Sequence, residues 1–143
     1  MKPLRLELCR LIRASPERLF EAWTVPEQLC RWWGPPGVQC TGAEFDLRPG
    51  GQYRIDNLLP DGAVVCISGE FVEVLRPKRL VYTWQTTEDL PVELVTVEFI
   101  PRGPNTEVRV VHEKVPTQDL AERHELGWDG CLSGLATYIA STI

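Results

Sequence analysis

A change of hydrophobic period at Thr117 limits the folds open to this chain. From there Leu120, His124, Trp128, Cys131, Leu132, Leu135 and Ile139 recur at three- and four-residue steps. That spacing draws one stripe along a helix of roughly five turns or more. Before Thr117 the period is two. "VVCISGEFVEVL", "RLVYTWQTT", "VELVTVEFI" and "TEVRVVHEKV" read as strands, with Val95, Val97 and Phe99 on one face and Thr96 and Glu98 on the other. Pro77, Pro91 and "RGPN" at 102–105 punctuate them. "QCTGAEFDL" and "QYRIDNLL" flank "RPGG", where Gly50 and Gly51 are expected to supply the positive φ of a tight hairpin. "PDGA" at 60–63 is a second such turn.

The first forty residues follow another plan. "LRLELCRLI" alternates Leu4, Leu6 and Leu8 against Arg5, Glu7 and Cys9, a half-buried strand. Ser15 is a good N-cap and Pro16 suits the first helical position, so "ASPERLFEAW" starts a helix with Leu19, Phe20 and Trp23 on its apolar face. Pro26 opens a second short helix, closed by Gly34, Pro35 and Pro36. Leu29, Trp32 and Trp33 border one face of it. Trp32 is expected to pack inward as an anchor, with Trp33 at its edge. The order is one strand, two short helices, about six strands and one long helix. Segregated runs of this kind indicate an α+β fold with an antiparallel sheet covered on one face.

The chain has 143 residues and reads as one domain over 1–143. Its charges are 15 basic against 20 acidic, and no basic run exceeds Lys78-Arg79, so no nucleic-acid footprint is expected. "MKPLRLELCRLIR" carries charges every few residues, and no stretch approaches the roughly 18 apolar residues of a membrane helix. The expectation is a cytoplasmic protein without membrane insertion. Five cysteines, with no C-x-x-C pair, read as reduced thiols rather than a disulfide framework or a zinc site.

Five blocks in order, "ASPERLFEAWTVPEQLCRWWGPPG", "DLRPGGQYR", "GEFVEVLRPKRLVYTW", "VTVEFIPRGPNTEVRVVHE" and "HELGWDGCLSGLATYI", resemble the family named for the activator of the heat-shock-protein-90 ATPase. That family lies in the START-like, or SRPBCC, superfamily, and this chain is similar to a stand-alone single-domain member. The resemblance implies a helix-grip: a curved antiparallel sheet of six to seven strands around the long C-terminal helix, with a cavity between. It does not imply an activity, because the superfamily includes lipid and hormone binders, polyketide cyclases and chaperone-contacting domains.

Motifs of chemistry are sparse. No G-x-S-x-G elbow, H-E-x-x-H cluster or phosphate loop is present. On the resemblance, His124 would meet the cavity as a polar handle or a general base, or else serve as a hydrogen-bonded structural histidine. His112 shares the face of Val108 and Val110 and would lie nearby. A metal would need further ligands, for example Cys66 or Glu70, and the spacing gives none; no metal, cofactor or catalytic set is expected. Glu44, Asp46, Glu70, Glu73, Glu98 and Glu107 alternate with apolar residues and read as outer-face charges, with Asp56 or Asn57 as candidate inner exceptions. Trp33, Tyr53, Phe71, Tyr82, Trp84, Phe99, His112, His124 and Trp128 are the candidate cavity lining. The leading reading is a binder of a small hydrophobic molecule. The alternatives are a cyclase, isomerase or hydrolase using His124 or His112 as acid/base, and an interaction module, with chaperone contact and either a monomer or a homodimer left open.

Overall fold

The computed structural model describes residues 4–86 and 90–142. The elements run β1 (Leu4–Ile12), α1 (Pro16–Thr24), α2 (Pro26–Trp32), β2 (Gln39–Phe45), β3 (Gln52–Leu58), β4 (Val64–Leu75), β5 (Arg79–Trp84), β6 (Glu93–Arg102), β7 (Asn105–Val115) and α3 (Gln118–Ser141). Seven strands form one sheet in the order β1-β7-β6-β5-β4-β3-β2, every neighbour antiparallel. This is the α+β helix-grip, with α3 packed on β1, β7 and α2.

Local chemistry sets the boundaries. The Ser15 hydroxyl accepts the Arg18 N–H at 3.2 Å, which caps α1, and Pro16 follows in the first turn, where no donor is needed. Gly34, at φ +105°, carries the chain past the end of α2 in a conformation most residues avoid. Thr117 caps α3 by accepting the Leu120 N–H at 3.2 Å. In the sheet the two-residue period buries one face: Val95, Val97 and Phe99 of β6 and Val108 and Val110 of β7 are at most 1% exposed. Between Phe71 and Glu73 the β4–β5 register slips, a bulge that bends its strand. Two residues earlier, a Cβ on Gly69 would collide with the Thr83 carbonyl.

Two expectations are corrected. Of the "RPGG" glycines only Gly50 has a positive φ, +85°; Gly51 is small because any Cβ there would strike the Asp46 carbonyl. The cysteines are not all free, since a disulfide joins Cys30 of α2 to Cys40 of β2, leaving Cys9, Cys66 and Cys131 as thiols. The pair is ten residues apart in sequence and meets through the packing of α2 on β2, which spacing motifs do not register. Among the described residues, no helix is long and apolar enough to cross a membrane.

Both tryptophans of "RWWG" are buried, Trp32 at 4% and Trp33 at 6% exposure. The Trp32 indole donates to the Ala22 carbonyl at 3.0 Å, tying α2 to α1. Glycines let α3 come close to this corner. A Cβ on Gly130 would lie 2.7 Å from Pro35 Cα, and one on Gly134 would collide with the Trp32 carbonyl. Gly134→Ala is therefore expected to destabilise the fold by about 2 kcal/mol, although alanine is the better helix former by about 1 kcal/mol. Chemical denaturation measures this, and a net gain in stability would refute the close approach.

Candidate functional site

Strand register gathers the polar residues of the interior. Glu93 opens β6 directly opposite Trp84 of β5, and Val95 lies opposite His112 of β7. Glu93 and His112 are thus diagonal neighbours on the inner face of the sheet. Over them α3 lays His124 and Trp128, four residues apart and so on one side of the helix. Glu93 Oε1 accepts two hydrogen bonds, from His112 Nε2 and His124 Nε2, each 2.8 Å long. The two imidazoles stack with centroids 4.2 Å apart and planes 16° from parallel. The Trp128 indole N–H donates to His112 Nδ1 at 3.0 Å.

That last bond decides the proton positions. An indole nitrogen can only donate, so His112 Nδ1 presents a lone pair and its proton sits on Nε2, facing Glu93. Burial pushes the His112 pKa below the ordinary histidine value; the bond to Glu93 opposes this and the neighbouring His124 reinforces it. Burial also works against ionisation of Glu93, but the hydrogen bonds from His112 and His124 outweigh it and hold the carboxyl below its usual range. The cluster is accordingly an ionised carboxylate, a neutral buried imidazole and a second imidazole at the edge. His112 is fully buried, Glu93 is 3% exposed and His124 is 12% exposed.

Glu93, His112 and His124 bring one donor atom each within 4.8 Å, the layout of a cation site. Its donor chemistry does not suit a metal. A ligating imidazole nitrogen must be deprotonated, and the nitrogen of His112 that faces the group carries the proton while Trp128 occupies the other.

Next to the cluster lies a cavity of about 330 Å³ between β3, β4 and β5 on one side and α3 on the other. Trp33, Trp84, His124 and Trp128 line it, together with Asn57 and Cys131. Trp128 stands 5.5 Å from both Trp33 and Trp84, centroid to centroid. Burial pushes the Cys131 thiol up to about 12, against a hydrogen bond from the Gly34 N–H, so it stays protonated and is a poor nucleophile.

The predicted lining divides into groups. Trp33, Trp84, His124 and Trp128 border the cavity, and His112 sits behind them in the hydrogen-bonded cluster. Tyr53, Phe71 and Tyr82 surround a separate void of about 10 Å³. Phe99 packs against Phe20 and Trp23, at 5.7 and 5.9 Å. Cys66 and Glu70, considered as partners for the histidines, are not in the cluster; the carboxylate there is Glu93. Glu93 escaped notice in the sequence although it precedes Val95, Val97 and Phe99 at two-residue steps and so shares their inward face. Asn57, one of the candidate inner exceptions, is 4% exposed, whereas Asp56 pairs at 2.9 Å with the exposed Arg54.

The family described as Activator of Hsp90 ATPase homolog 1-like protein has a model that matches residues 13–140. The chain belongs to this family. A crystal structure of a Nitrosomonas europaea protein is similar, with a TM-score of 0.84 and 25% identity over 97% of this chain and 96% of that one. A Chromobacterium violaceum protein gives 0.83 and 27% over 93% and 94%. The AHSA1 protein of Silicibacter pomeroyi gives 0.84 and 26% over 98% and 100%. A comparison with curated proteins finds no match.

The buried pair makes the stability of this family member depend on pH. Unfolded His112 takes up a proton near pH 6.5, while the buried residue, with its lowered pKa, resists it. The unfolded state then binds more protons, so stability falls as pH drops from about 6.5 towards the native pKa, by at most about 1.4 kcal/mol per pH unit. Glu93, also lowered, adds a second loss only below about pH 4.3. Urea midpoints between pH 7.5 and 5.5 are expected to decline in the wild type and to flatten in His112→Gln; parallel curves would contradict the buried neutral imidazole.

Proposed function

We propose that this protein binds a small, mainly apolar molecule in the cavity between the sheet and α3, with His124 as a polar contact. The observation that carries this reading is the 330 Å³ cavity with three tryptophans in its wall. Small-molecule sites span about 300–1,000 Å³ and combine apolar walls with a few polar groups, so the expected ligand is of one or two rings. The family's helix-grip, in which sheet and helix enclose such a space, agrees with it. The large exposed apolar side chains are spread over β1, β4, α3 and the β5–β6 connection, which lends no comparable support to a chaperone-contacting role.

Gly127 provides the test. It lines the cavity from α3, and a Cβ added there meets no atom within 4 Å. Gly127→Leu is expected to fill the space and abolish binding of naphthalene-sized compounds. It should also raise helix stability by about 1 kcal/mol. Titration calorimetry and thermal unfolding on the same samples separate the two effects. Binding that survives the substitution would remove the cavity from consideration.

One observation favours a second reading, acid–base catalysis. His124 is held by an ionised carboxylate through Nε2 and borders the cavity, the arrangement of an oriented general base. Under this reading wild-type protein converts a captured compound, while His124→Gln binds it and leaves it unchanged, as mass spectrometry of the bound fraction would record. Recovery of unaltered ligand from both proteins would reject catalysis and leave binding intact.

A further inference from the structure

One side of the cavity is formed by the segment that joins α2 to β2. Trp33, Pro35 and Val38 of this segment stand in the cavity wall. The segment is bracketed by Cys30 of α2 and Cys40 of β2, joined as a disulfide with their Cα atoms 5.0 Å apart. That separation lies within the ordinary span of a disulfide, so closing or opening the bond asks for no large backbone movement. Both cysteines are half-buried, whereas Cys131 is only 4% exposed.

Each end of the segment has a hold of its own. Leu29 and Trp32 anchor α2 at 1% and 4% exposure, and the Trp32 indole is bonded to Ala22. β2 is paired with β3 from Gln39 to Phe45. The segment between them packs on α3 through Pro35, but its backbone has few anchors. Pro35 and Pro36 have no N–H to donate. The Val38 N–H closes a local turn on the Pro35 carbonyl at 3.0 Å. The Gly34 N–H reaches Cys131 Sγ, a weak acceptor, at 3.3 Å. Cys40 itself sits on the edge strand, where the register against β3 slips between Cys40 and Gly42. A bulged strand end at a sheet edge opens more readily than the centre of a sheet. The disulfide therefore spans the part of the wall that secondary structure holds least.

Building on the proposed binding role, we infer that the Cys30–Cys40 pair is a redox latch on the cavity. As a disulfide it holds the wall at 33–38 against a bound molecule; as two thiols it lets that wall open and the molecule leave. The step is thiol–disulfide exchange with an external dithiol. One thiolate of the dithiol attacks a protein sulfur, forms a mixed disulfide and expels the other cysteine as a thiolate, which takes up a proton. The second thiolate of the dithiol then displaces the remaining protein sulfur, which is protonated in turn. The dithiol leaves as a disulfide, and the protein has gained two electrons and two protons. A low-molecular-weight disulfide such as glutathione disulfide runs the exchange in reverse.

The test compares wild-type protein before and after reduction by dithiothreitol, with 2-naphthol as a fluorescent probe. Thiols titrated in the denatured protein should rise from three to five. The far-ultraviolet circular dichroism should not change. Amide hydrogen exchange at Gly34, Gly37 and Val38 should quicken by about tenfold, with Val95 and Val110 unaffected. Release of 2-naphthol in stopped-flow mixing should also quicken by about tenfold, and its Kd should rise by a similar factor. Glutathione disulfide should reverse each change. The variant Cys30→Ser/Cys40→Ser should behave as the reduced wild type and ignore both reagents. Unchanged exchange at 34–38 or an unchanged release rate would overturn the latch and leave the binding role standing. Unfolding on reduction, or a bond that glutathione disulfide does not restore, would overturn it as well. If 2-naphthol binds neither redox form, the binding role falls and the latch with it.

Discussion

Glu93 imposes the tightest condition on this structure. A carboxylate that is 3% exposed cannot stay ionised without compensation, and its compensation comes from two different elements, His112 on β7 and His124 on α3. The charge thus ties the helix to the sheet at one place along a helix of 24 residues. Removing either imidazole leaves the carboxylate underpaired, which makes the cluster sensitive to small displacements of α3. Trp128 extends the condition by one more bond, because its N–H dictates which nitrogen of His112 holds the proton. The carboxylate thus ties the helix to the sheet, and the Trp128 N–H fixes the protonation pattern that makes His112 a poor metal ligand.

The same placement of α3 explains why a cavity exists. At the α2 corner, Gly130 and Gly134 bring the helix against Trp32 and Pro35 with no room for a Cβ. One turn earlier, Gly127 borders open space instead. Glycine serves opposite ends on one helix: contact at two positions and clearance at the third. Trp33, Trp84 and Trp128 pack against one another with centroids 5.5–6.3 Å apart and form one continuous aromatic side of that space.

The architecture was legible because it rests on periodicity. The two-residue alternation of β6 and β7, the stripe from Leu120 to Ile139 and the caps at Ser15 and Thr117 all follow from local chemistry, and the structure realises each of them. The site was legible in part. Alternation assigns a face, and it put His112 inward correctly. It does not say how far along a bent sheet a residue lies, which is why Tyr53, Phe71 and Tyr82 fall around a different void from Trp84. Glu93 obeyed the same rule as Val95 and Val97 but was obscured by the ordinary expectation that acids face water. The Cys30–Cys40 bond depends on how α2 packs on β2, which no local pattern encodes.

The two proposed readings, binding and acid–base chemistry, would draw on successive layers of one interior. His124 stands in the cavity wall with one nitrogen already committed to Glu93. His112 lies behind, fully buried and saturated by Glu93 and Trp128, so it can orient and stabilise but cannot touch a ligand. Of the described members of the cluster, Glu93, His112 and His124, only His124 lines the cavity. An acidic group of a bound molecule would there meet an imidazole whose Nε2 is already held by Glu93, which leaves Nδ1 as the ring atom free to accept its proton.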